Sequence, residues 1–144
     1  MTAEEFLLGP ARLKAEIASD MDNLAALRTV AESCTSQLDL VAGGHSSDSH
    51  RKLEDLTAAI ADEEEKLRDK IAAVAILEKD VLEVIRQLAD SRYRCALIMR
   101  FLQGKSWQEI SKTLYLSKTS VYAILREAIH ELEQIMKEQG NGRG

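Results

Sequence analysis

Few residues in this chain have the types that covalent or metal chemistry requires, and their spacing does not support it. His45, His50 and His130 are unaccompanied by a nucleophile or a carboxylate pair at useful spacing, so neither a hydrolytic triad nor a metal cage is expected. Cys34 and Cys95 have no CxxC spacing, which argues against a zinc knuckle or a disulfide framework and for reduced thiols. The run Asp62-Glu63-Glu64-Glu65 reads as a solvated helix face. The chemistry that is well spaced is non-covalent. Ser117, Lys118, Thr119, Ser120, Tyr122 and Arg126 combine hydroxyls, cations and a phenol within ten residues, the groups that meet phosphates and base edges. The expectation is a duplex-DNA-binding protein rather than an enzyme, with no cofactor and no metal.

Three short helices must position those groups. Asp90 or Ser91 caps the first, which runs through Tyr93, Leu97, Ile98, Phe101 and Leu102 and stops at Gly104. Ser106-Trp107-Gln108-Glu109 is a capping box that opens the second, from which Ile110 and Leu114 face inward. Leu116 plugs the turn. Ser117 caps the third, expected to continue to about Lys137, with residues 139–144 as a flexible tail. Its spacing separates an inward stripe, Val121, Leu125, Ala128, Leu132 and Ile135, from an outward face of Lys118, Thr119, Tyr122 and Arg126. Tyr93 and Tyr115 are expected to pack with wet hydroxyls, and Phe101 to join the core. This is a helix-turn-helix over residues 90–138.

Residues 1–89 read as a coiled-coil-like antiparallel helical hairpin. Gly9-Pro10 places the start of the first helix near Ala11, with an apolar stripe through Leu13, Ile17, Leu24, Leu27, Ala31, Cys34 and Leu38 and one polar member, Asp20. Gly43 to Ser49 reads as a loop. Leu53, Ile60, Leu67, Val74, Val81 and Leu88 then keep a seven-residue interval in a helix about 57 Å long, with Glu63 and Lys70 interrupting the companion positions. The second helix outruns the first by about ten residues. Val81, Val84, Ile85 and Leu88 must therefore pack on the C-terminal module or on a second chain, and a homodimer is the expectation, with a monomeric bundle as the alternative.

Charge divides in the same way. Residues 1–85 carry 9 Lys+Arg against 18 Asp+Glu and residues 86–144 carry 10 against 6, so the acidic total of −5 conceals a basic C-terminal end. Phosphate binding depends on the field within about 10 Å, so the acidic remainder does not forbid it. With 45% hydrophobic and 30% charged residues and no apolar run approaching about 20 residues, a soluble cytoplasmic chain without a membrane span is expected.

The stretch from Arg92 to Leu132 resembles region 4 of the sigma-70 factors, the promoter-reading helix-turn-helix. The resemblance is carried by Arg100-Phe101-Leu102-Gln103-Gly104, by Ser106-Trp107-Gln108-Glu109-Ile110, and by Ser117-Lys118-Thr119-Ser120-Val121-Tyr122 with Ala128 and Leu132. The whole layout is similar to phage-encoded transcriptional regulators of that type. The resemblance implies that Ser117, Lys118, Thr119, Tyr122 and Arg126 touch DNA, that Trp107 and Lys112 lie toward the backbone, and that bacterial RNA polymerase is a second candidate partner. The family usually places alanine at Ser111 and often glycine at Tyr115, so a looser turn is expected here. Residues 7–92 contain no aromatic side chain to capture melted DNA, so an accessory regulator fits better than a complete sigma factor. A phage packaging component of the small-terminase kind, or a helix-turn-helix turned to protein binding, are the alternatives.

Overall fold

The computed structural model describes residues 1–40 and 47–142, and these form helices and turns without a strand. Helix α1 spans Ala3–Leu40, α2 spans Ser47–Ile85, α3 spans Ser91–Leu97 and passes into a π-helical segment Ile98–Leu102, α4 spans Trp107–Leu114 and α5 spans Lys118–Gly142. The fold is all-α, with the expected long hairpin ahead of the short helices. Of the loop expected from Gly43 to Ser49, residues 43–46 with His45 lie outside the described residues, and Ser47 to Ser49 already belong to α2. The chain divides into two compact units, residues 14–73 and residues 1–13 with 74–144. The boundary expected between residues 89 and 90 thus falls inside the second unit.

In the unit of residues 14–73, α1 and α2 are joined by ion pairs whose numbering fixes their direction. Arg28 pairs with Glu64 at 2.8 Å, and Lys70 pairs with Asp20 at 2.5 Å and Glu16 at 3.7 Å, so rising numbers on one helix meet falling numbers on the other. Asp20 interrupts the first apolar stripe, Lys70 and Glu63 the second; Asp20 and Lys70 satisfy each other, and Glu63 pairs with Lys66 at 3.6 Å. Hydrogen bonding to Asp20 holds the Lys70 ammonium above its usual pKa, against an opposing desolvation. Leu24 is buried beside this pair in sequence, and Leu53, Ile60 and Leu67 of the seven-residue ladder are half-buried.

The unit of residues 1–13 and 74–144 corrects three expectations. First, α1 opens at Ala3, not near Ala11. Thr2 and Glu5 form a reciprocal capping box, each backbone N–H donating to the other's side chain at 3.1 Å, and the Ala3 N–H donates to Glu133 Oε2 of α5 at 2.5 Å. Pro10 lies inside the helix and forgoes a backbone hydrogen bond, which costs about 3 kcal/mol in a helix interior. Complete burial of Leu7 contributes about 2 kcal/mol against that cost, and Ala3 and the Pro10 ring are enclosed as well.

Second, the early start makes the helices nearly equal, 38 and 39 residues, so no apolar overhang remains. Val81, Ile85 and Leu88 are sealed in one core with Leu7, Leu97, Val121 and Leu132, and Val84 packs on its edge. The stripe that argued for a second chain is covered by this chain itself, and with it goes that reason to expect a homodimer. Third, α2 ends at Ile85, so Leu88 is buried in a turn rather than on a helix. Arg94 holds the turn that follows, its Nη1 donating to the Leu88 and Ala89 carbonyls at 2.6 and 2.9 Å. Asp90 then caps α3 through the Arg92 N–H at 2.9 Å.

The C-terminal helix also runs further than Lys137, to Gly142, and Gln139 donates to Gln87 at 2.6 Å near its end. Only residues 143–144 of the expected tail lie outside the described residues.

Three outcomes follow from this packing. Leu7→Ala should lower the free energy of unfolding by about 2–5 kcal/mol in a urea titration, whereas a helix that opened near Ala11 would leave it unaffected. A double-mutant cycle of Asp20→Ala and Lys70→Ala should show favourable coupling that weakens with added salt. Tyr93 donates to Glu127 at 2.7 Å, and that bond, followed by desolvation, pushes its phenol up to about 12. The folded state therefore holds the phenolic proton longer than the unfolded chain, and the stability from this bond is present below pH 10 and lost as the pH rises toward 12. Tyrosinate absorbance should show one late phase that Glu127→Gln brings to lower pH.

Candidate nucleic-acid interface

Capping residues fix where the candidate site begins. Ser106 Oγ accepts the Glu109 N–H at 3.2 Å and starts α4, and Ser117 Oγ accepts the Ser120 N–H at 3.2 Å and starts α5. Between them the chain turns through Tyr115, whose φ of 56° is left-handed, and Gly104 makes the equivalent reversal before α4 with φ 65°. The turn is not loose. Ser111 donates its hydroxyl to the Leu116 carbonyl, and the Leu116 N–H donates back to the Ser111 carbonyl at 3.1 Å. Tyr115 does not pack as expected: it is 94% exposed, and its backbone serves the turn while its ring stands in solvent. Tyr93 and Phe101 do rest against the core.

Burial sorts the two faces of α5. Val121, Leu125, Ala128 and Leu132 are sealed, with Ile124 beside them and Ile135 at the edge. Lys118, Thr119, Tyr122 and Arg126 are exposed on the other side, and so is Ser117 ahead of them. Ser120 differs from the rest of the candidate set. It is half-buried, and its amide and hydroxyl are both engaged by Ser117, so it completes the cap. Lys112 is exposed on the last turn of α4.

Trp107 sits at the centre of an arrangement that spacing alone did not reveal. Its ring lies 5.6 Å from that of Tyr122, tilted by 35°. The Arg100 guanidinium stands 5.0 Å above the Trp107 ring, and that of Arg126 stands 5.9 Å from the Tyr122 ring. Four side chains from the π-helical segment, α4 and α5 thus form a continuous stack of cation, two rings and cation. Arg100 was not among the candidate residues. It is held by a 3.3 Å hydrogen bond from Nη1 to the Lys105 carbonyl, in the loop that the π turn and Gly104 shape. Gln103 donates to the Ile98 carbonyl at 3.0 Å across that wider turn. A plain 3.6-residue period does not anticipate the wider turn.

Two concavities border the stack. One, of about 620 Å³, opens between the first turns of α4 and α5 and is lined by Ser106, Trp107, Gln108, Lys118, Thr119 and Tyr122. The other, of about 700 Å³, has Arg100, Trp107, Tyr122 and Arg126 on one wall and Leu8 and Glu4 of α1 on the opposite one. The start of α1 therefore flanks the outward face of α5 without covering it, since Tyr122 remains 54% exposed and Arg126 is exposed. Such a surface offers hydroxyls, two guanidiniums, an ammonium and aromatic faces for a polyanion. It offers no nucleophile paired with a base. Among the described residues no three His, Cys, Asp or Glu side chains are grouped to hold a metal ion, and no helix is long and apolar enough to cross a membrane.

None of the curated proteins and none of the solved structures compared with this sequence matches it. A family match covers residues 31–133, well over half of the chain, from within α1 to the last third of α5. On that match the chain belongs to the family described as protein of unknown function DUF1492.

Proposed function

We propose that this protein is a sequence-specific regulator of transcription that binds duplex DNA through the N-terminal half of α5. The observation that carries the reading is the division of α5 itself. Its apolar stripe is consumed by the core, while Lys118, Thr119, Tyr122 and Arg126 stand exposed within its first nine residues, where a recognition helix meets base edges. Side-chain chemistry agrees with the placement. Arginine makes bidentate contacts with guanine, lysine and serine serve phosphates, and the stacked rings hold Arg126 near the helix.

The resemblance to region 4 of the sigma-70 factors supports the same residues and extends the proposal to phage genes and to bacterial RNA polymerase as a protein partner. The absence of aromatic residues between 7 and 92 favours an accessory regulator over a promoter-opening factor. The acidic total charge is not an obstacle, because residues 86–144 carry the basic excess.

Selection of bound fragments from the source genome, followed by anisotropy titration of the preferred duplex, tests the reading. Arg126→Ala and Lys118→Ala should each weaken binding by about 1–3 kcal/mol with helicity unchanged, and Lys118→Ala should also lower the salt slope by about one. Unchanged affinity in both variants would remove these residues from a DNA face.

A further inference from the structure

The concavity between α4 and α5 has chemistry that phosphate binding does not explain. Its floor is aromatic, made by the rings of Trp107 and Tyr122, and its rim carries Lys118, Thr119, Ser106 and Gln108. A surface that only followed the sugar–phosphate backbone would have no use for an apolar floor. If α5 enters the major groove as proposed above, this hollow faces the base edges beside its first turn, and Trp107 then meets a base instead of the backbone to which the region 4 resemblance assigns it. Purines and cytosine present hydrogen-bonding atoms and small C–H edges there, and among the four bases only thymine presents a methyl group, at C5.

We infer that the Trp107–Tyr122 hollow is a subsite for a pyrimidine C5-methyl group, so that the protein reads thymine at one position of its operator by apolar contact. The inference rests on the DNA-binding reading and deepens it. Arg100 acts as a positioning residue, stacking on the Trp107 ring from one end, while Arg126 beside Tyr122 remains the DNA-contacting residue. Lys118 and Thr119 on the rim take the neighbouring phosphate or the O4 of the same base. 5-Methylcytosine carries the same methyl group and would satisfy the floor while offering an amino group in place of O4.

Deoxyuridine substitution isolates the methyl group, because it changes nothing else in the base. With the full-length protein and its selected duplex, replacing thymines singly by deoxyuridine should weaken binding about four-fold at one position, the effect of burying one methyl group. Trp107→Ala and Tyr122→Ala should bind the thymine and deoxyuridine duplexes alike, whereas Trp107→Phe should restore part of the difference. Cytosine and 5-methylcytosine at that position form a second pair, in which the methylated duplex should bind more tightly. Specific binding that is indifferent to deoxyuridine at every thymine would overturn the inference and leave the DNA-binding reading standing. The same holds if the methyl effect persists undiminished in both alanine variants. Failure to bind any duplex would overturn both.

Discussion

Burial of a single stripe on α5 governs what the rest of this protein can present. Val121, Leu125, Ala128 and Leu132 are closed over by α3 and α4 and by the start of α1 and the end of α2. Because a helix repeats every 3.6 residues, fixing that stripe fixes the opposite one, and the exposed set from Lys118 to Arg126 follows without further adjustment. The caps at Ser106 and Ser117 then decide where each helix begins, and so which side chains fall on its first turn.

What could be read from the sequence corresponds to what local physics determines. Hydroxyl caps, the glycine at the end of the π-helical segment and the inward stripes of α4 and α5 are short-range features, and all lie where their residue types place them. The features that escaped depend on tertiary partners. Pro10 is tolerated within a helix because Leu7 and Ala3 are buried on one side of it and Glu133 receives the helix start. The turn after α2 is held by Arg94, nine residues beyond the helix end in the chain. Arg100 reaches Trp107 across a π turn and a left-handed glycine, a path that residue spacing does not encode. The supposed overhang of α2 arose from misplacing the start of α1 by eight residues.

Two departures from the pattern of region 4 turn out to be linked. A tyrosine in the left-handed conformation costs about 1 kcal/mol more than glycine there. Ser111 accepts the Leu116 N–H through its backbone, as any residue would, and adds a bond from its hydroxyl to the Leu116 carbonyl that an alanine methyl could not make, which braces the strained residue. The exposed Tyr115 ring then projects from the corner of the motif as a large amphipathic group.

The bond between the Ala3 amide and Glu133 has an asymmetry of its own. Its donor belongs to the main chain, which every residue but proline supplies, so the bond itself does not depend on the side chain at position 3. Its acceptor is the side-chain carboxylate of Glu133, within α5 and beyond the exposed face. The bond thus constrains chemistry at residue 133 and volume at residue 3, where the enclosed Ala3 methyl leaves no room for a larger side chain.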